Sequence, residues 1–211
     1  MTDDRAVGTP VPSRPAGASL FRPLPEGGLE RRIVDAYDAC LDRWGEPKTT
    51  MADVAREAGV SRATVYRVVP GGKATLAEMH RRHSLASFFA DLDALVPTDA
   101  PLPELLTSLL GSATQLLADD VAFQRRLADD PGAVLPELTF RGLDRIFAAA
   151  RVFFGPRLEV HLEPATATVT AEWLARLVLW HQLDERVTTD LTDPDEARAL
   201  VEGRILPALR A

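Results

Sequence analysis

With one cysteine among 211 residues, the chain can close no internal disulfide, so its core has to be held by packing alone. Cys40 also stands beside Leu41 in an apolar pattern and has no second thiol to resolve an oxidised form, which fits a reduced, cytoplasmic setting. Long apolar runs are missing. No stretch approaches about 18 uncharged apolar residues, and the first residues hold Asp3 and Asp4 rather than an apolar targeting segment, so no membrane partner is expected. Enzyme signatures are equally scarce: there is no glycine-rich phosphate loop, no His-Glu-x-x-His and no nucleophile elbow, and Gly71-Gly72 follows no strand pattern. The four histidines are scattered, and His161 and His181 have no catalytic partner at a recognisable spacing. His80 and His83 are spaced like two ligands on one helix, but Arg81 and Arg82 between them oppose a cation and no third ligand is evident. An exposed basic patch is the reading preferred there, and no metal, cofactor or catalytic residue is assigned.

What is present is helical in period from Leu29 onward. Ile33, Ala36, Tyr37, Cys40, Leu41 and Trp44 recur at three and four residues and predict a first helix closed by Gly45. Two short helices joined by a glycine turn follow, over Thr50 to Pro70. Thr50 is placed to cap the first, with Asp53 three residues on to reach back to its backbone; Gly59 ends it, and Ser61 caps the second. Ala63 and Val65 point differently from the polar residues, and Val65 and Val68 face inward, leaving Arg62, Thr64, Tyr66 and Arg67 to share the outer surfaces. That outer set suits DNA, because guanidinium groups bond guanine edges or phosphates, hydroxyls bond phosphates, and a helix start attracts a phosphate oxygen.

Charge is distributed accordingly. Residues 29–84 carry ten basic side chains against eight acidic ones while residues 1–28 are neutral, so the net charge of −7 puts −9 on residues 85–211. A basic reading head on an acidic body is the expected polarity.

Ile33-Val-Asp-Ala36, Gly45, Thr49-Thr50, Asp53-Val-Ala55, Ala58-Gly-Val-Ser61, Thr64, Tyr66 and Pro70 together resemble the TetR family of bacterial transcriptional regulators, without a gap. Departures include Asp38, where the family usually has an apolar residue, Leu41 and Glu46 in place of aromatics, and Val69 in place of a phenylalanine. The family's Ser-Lys after the proline is Gly71-Gly72 here, with Lys73 one place later. The resemblance implies an all-α homodimer that sits on a palindromic double-stranded DNA operator as a repressor and is released by a small hydrophobic effector. It assigns DNA contacts to Thr50, Ser61, Arg62, Ala63, Thr64, Tyr66, Arg67 and Lys73. An activator of the same fold is the alternative, with a helical enzyme or an architectural DNA-binding protein behind it.

Three segments are expected. Residues 1–28, rich in proline and glycine, read as a disordered tail; 29–72 as the three-helix helix-turn-helix domain; 73–211 as a larger helical domain for effector binding and dimerisation. In the last, helices are predicted from about Lys73 to Val96, Leu105 to Leu117, Val121 to Ala128, about Leu138 to a stop at Gly155-Pro156, Thr166 to Glu185 and Asp195 to Leu206, nine in all. Leu174, Leu177, Trp180 and His181 lie on a segment apolar over too wide an arc for one core and are assigned to the dimer interface. Phe89, Leu109, Ala113, Leu116, Phe123, Phe147, Val152 and Trp173, with few charges among them, are expected to line the effector cavity.

Overall fold

The computed structural model describes residues 22–129, 141–183 and 188–210. Most of the proposed tail, and the start of the seventh helix around Leu138, lie outside them. Among the described residues every regular element is helical. The head comprises α1 (Leu29–Lys48), α2 (Met51–Glu57) and α3 (Arg62–Val68). Helix α4 (Gly72–Leu95) leads into a body of α5 (Leu102–Asp119), α6 (Val121–Asp129), α7 (Arg141–Leu158), α8 (Pro164–Leu183) and α9 (Pro194–Leu200). A single π turn, Val201–Ile205, joins α9 to α10 (Leu206–Arg210). No helix among the described residues is long and apolar enough to cross a membrane.

Gly45 breaks α1. Its φ of 75° lies in the left-handed region that a side chain disfavours, and Thr49 closes the turn by donating N–H and Oγ1–H to the Gly45 carbonyl, at 3.2 and 2.9 Å. The residues then pack into two cores. In the head Ile33, Tyr37, Cys40, Val54, Val65 and Val69 close around Leu76 of α4; in the body Phe89 and Leu92 of the same helix meet Leu106, Leu109, Phe154 and Leu174. Burial pushes the Cys40 thiol up, reinforced by the nearby Glu57 and Asp53 carboxylates.

Two expectations need correcting. Pro156 does not stop the seventh helix: α7 continues to Leu158, whose side chain is fully buried, and Arg157 donates to the Phe153 carbonyl at 2.8 Å. Burial of that leucine outweighs the hydrogen bond the proline cannot donate. Residues 22–28, read as part of a tail, are docked. Leu24 packs against the head core, and its N–H donates to Nδ1 of the buried His83 at 3.1 Å. His83 is therefore no part of an exposed basic patch.

Because Leu76 is wholly enclosed where α4 enters the head, Leu76→Ala is expected to lower stability by about 2–5 kcal/mol, through lost transfer energy and the cavity left behind. Chemical denaturation followed by circular dichroism measures the difference.

Candidate functional site

The head presents α3 on a prepared scaffold. At the start of α2, Thr50 Oγ1 accepts from the Asp53 N–H at 3.2 Å, while Asp53 Oδ2 accepts the Thr50 N–H at 3.2 Å and its hydroxyl at 2.6 Å, a reciprocal capping box. These bonds, with the neighbouring Arg56 guanidinium, hold the Asp53 carboxyl below the usual carboxylate range. Gly59, at φ 64°, turns the chain, and the Val60 N–H bonds the Ala55 carbonyl at 2.9 Å. Ser61 Oγ then accepts the Thr64 N–H at 3.1 Å and lies 2.9 Å from the Thr64 hydroxyl, which starts α3.

Val65 is fully buried beneath this helix and Val68 half-buried, which leaves Arg62, Ala63, Tyr66 and Arg67 exposed and Thr64 partly so. Among the described residues no hydrogen bond or ion pair engages the guanidinium of Arg62 or Arg67. Thr50 and Ser61 are exposed at the starts of their helices. Lys73 is placed differently: its Nζ donates to the Glu46 carbonyl, tying the first turn of α4 to the end of α1. The tight entry into α4 also explains the glycine pair. A Cβ on Gly71 would stand 1.8 Å from Thr75 Oγ1, and Gly72 sits at φ 66°.

A second feature lies where head meets body. A cavity of about 610 Å³ opens between α1, α4, α5, α6, α7 and α8. Phe89, Leu109, Ala113 and Phe123 line it, and the other four residues named from sequence do not. Leu117, Ile146 and Phe154 line it instead of Leu116, Phe147 and Val152, because apolar residues one or two places apart on the same helix are not told apart by apolar content alone. Trp173 is half-exposed on the outer side of α8. The expected shortage of charge is also corrected, since Asp38, His80, Arg81, Arg126 and Arg145 border the cavity.

These charges are paired across long sequence distances. His80 Nε2 lies 2.8 Å from Asp38 Oδ1, Arg126 Nη1 lies 3.3 Å from the same oxygen and 2.7 Å from Asp42 Oδ1, and Arg125 Nη2 lies 3.3 Å from Asp42 Oδ2. The His80 hydrogen bond, aided by Arg126, holds the Asp38 carboxyl low against the opposing effect of burial. Helix α6 is thereby tied to α1. Sequence reasoning missed this cluster, although a signal was present: Asp38 occupies a position where the resemblance calls for an apolar side chain. His80 and His83, considered as a ligand pair, bond instead to Asp38 and to the Leu24 N–H.

On α8, Val169, Trp173, Trp180 and Leu183 are exposed at spacings of four, seven and three residues, one stripe along the helix. Trp180 is 64% exposed. Leu177 and His181 are half-buried beside it. Leu174, assigned above to a dimer interface, is buried within the chain's own core and cannot lie on that stripe.

The sequence profile of the bacterial regulatory proteins of the tetR family matches residues 33–76, the head and the first turn of α4. The head is the helix-turn-helix DNA-binding domain of the TetR family. Relatives include an HTH-type transcriptional regulator of Mycobacterium tuberculosis (strain H37Rv), 37% identical over 91 residues that cover 43% of this chain and 46% of the relative. Another, from Mycobacterium bovis, is 36% identical over the same shares. The match thus spans about half the length of these curated relatives. Among solved structures, the TetR family repressor AlkX from Dietzia sp. strain DQ12-45-1b, implicated in biodegradation of n-alkanes, superposes with a TM-score of 0.60 at 22% identity, covering 89% of this chain and 98% of that one. The fatty acid degradation regulator FadR of Bacillus halodurans gives 0.56 at 15% identity, covering 84% and 96%. At those identities the likeness is one of fold, and it extends over head and body together.

The capping box carries a pH signature. A folded-state pKa held below the unfolded value means that Asp53 contributes stability at pH above its unfolded pKa of about 3.9 and loses it as pH falls through the folded value. In Thr50→Val the Asp53 carboxyl should titrate closer to its ordinary midpoint, as followed by NMR of its side-chain carbonyl carbon.

Proposed function

We propose that this TetR-family chain is a transcriptional repressor that binds a palindromic operator as a homodimer and is released when a small molecule with an apolar body enters the junction cavity. The observation that carries the reading is the outer face of α3, where Arg62, Tyr66 and Arg67 stand exposed on a helix fixed at its start by Ser61 and underneath by Val65. Two guanidinium groups that meet no hydrogen-bonding or ion-pair partner among the described residues, beside an aromatic hydroxyl, are ready to meet phosphates and base edges. Ser61, Ala63 and Thr64 are placed to follow the backbone at the same helix start, and Thr50 to do so at the start of α2. Lys73 enters as a support. Its bond to the Glu46 carbonyl favours a role in seating α4 against the head over a direct phosphate contact.

A second copy is the occupant proposed for the α8 stripe. Operator half-sites lie about 34–36 Å apart, so two heads have to be held at a fixed separation, and the exposed Trp173 and Trp180 supply aromatic anchors for that interface. Leu177 and His181 border it. The cavity supplies the regulatory half: Phe89, Leu109, Ala113 and Phe123 face its interior, and its walls include α4, which runs into the head. A ligand that lowers operator affinity ten- to a hundredfold has to favour the released conformation by about 1.4–2.7 kcal/mol.

The operator is first selected from randomised DNA with the full chain, and variants are then titrated on it. Arg67→Ala and Tyr66→Ala should weaken all operator sequences alike, Arg67→Ala by about 1–3 kcal/mol, whereas Arg62→Ala should flatten preference at one or two positions per half-site. Unchanged affinity and selectivity in all three would remove α3 as the reading element. Sedimentation supplies the second check: a dimer is expected at micromolar concentration, converted to monomer by Trp180→Glu with operator affinity lost in parallel.

A further inference from the structure

The two ends of the junction cavity differ in chemistry. Its far wall, from α5, α8 and the second half of α4, is built by Phe89, Leu109, Leu174 and Val178. Its near end, against the head, is bordered by Asp38, His80, Arg81, Arg126 and Arg145. These belong to two ion-paired groups. In one, Asp38 and Asp42 hold His80, Arg125 and Arg126; in the other, the single oxygen Glu78 Oε2 serves Arg81 at 3.1 Å and Arg145 at 3.2 Å. Among the described residues, Arg125 and Arg126 thus share Asp42, and Arg81 and Arg145 share Glu78. Two more acids border the cavity. Asp120 accepts the Phe123 N–H at 2.9 Å and so caps α6, and Glu46 is exposed at the end of α1, its carbonyl held by Lys73.

Resting on the reading of this cavity as the effector site, we propose that it takes an amphiphile with an apolar chain and one terminal carboxylate, which pairs with Arg126 in place of Asp38 and so loosens α6 from α1. Arg126 meets both aspartates through Nη1 alone, at 3.3 and 2.7 Å, so the rest of its fork is not committed to them. A carboxylate taken bidentately replaces the longer of these contacts with two charge-assisted hydrogen bonds. The exchange strands no charge, because Asp38 keeps His80 at 2.8 Å and Asp42 keeps Arg125 at 3.3 Å. A hydroxyl or ester at the same place gives Arg126 no reason to leave Asp38, and an ammonium is repelled by the Arg126 guanidinium itself. The apolar wall thus supplies affinity common to many ligands, while the end group decides whether the Asp38–Arg126 contact between head and body opens.

The test uses the full chain with probes of one chain length below their micellar concentrations: dodecanoate, dodecanol and dodecylamine. Affinity is read by calorimetry, and loosening by hydrogen exchange in α1 and α6. Dodecanoate should bind at least tenfold tighter than dodecanol and alone should speed exchange there. Arg126→Gln should bring the acid and the alcohol within about twofold of one another. Arg126→Lys, which keeps the charge but loses the fork, should retain only part of the preference. Asp38→Asn removes the competitor, so it should tighten dodecanoate several-fold while the ligand-dependent change in exchange disappears. Equal binding of acid and alcohol, preference for the amine, or a preference that survives Arg126→Gln would overturn the carboxylate assignment and leave the cavity as an effector site. Absence of binding by all three probes would remove both.

Discussion

Helix α4 has to satisfy two cores with one rigid rod. Leu76 and Ala77 complete the head and Phe89 and Leu92 enter the body, and at about 100° per residue Leu92 stands some 160° around the axis from Leu76. The buried side of the helix therefore winds from one face to nearly the opposite one. A helix of 24 residues is about 36 Å long, so a small tilt at the body end is delivered to the head with little loss. The rest of the architecture follows: the head cannot move independently of α4, and the cavity borders α4, among the described residues the one helix packed into both cores.

The junction is closed by charge where an apolar contact would have been the simpler solution. Asp38 and Asp42 are on one face of α1, and their partners come from α4 and α6, so three helices are fixed by groups that remain partly in contact with water. Pairs of that kind contribute modestly to stability, because solvent competes for each member. They are well suited to a contact that must break reversibly. A buried leucine at position 38 would hold the helices more firmly and would offer an entering ligand nothing to exchange with.

The head was legible in the sequence because its signals are local. Thr50 with Asp53, Gly59, and Ser61 with Thr64 each act over three residues or fewer, so composition at fixed offsets is sufficient to place two helices and the turn between them. The cavity was half legible. Apolar period identifies which helices bury a face, as at Phe89, Leu109, Ala113 and Phe123, but it does not resolve Leu116 from Leu117 or tell a residue facing the interior from one, like Trp173, that faces outward. The ion-paired junction was not legible. Asp38 and Arg126 are 88 residues apart, and nothing local in either helix selects the other.

The bond from the Leu24 N–H to His83 has a mechanical consequence. Seven residues, 22–28, would give a free chain up to about 25 Å of reach beyond α1. Docked on the head, they give little. The chain at Leu24 is thereby held at a fixed point beside α1 and α4. The imidazole can hold that point only while Nδ1 is unprotonated, and burial favours the neutral ring. A short proline- and glycine-bearing stretch is thus anchored to the head through one neutral ring.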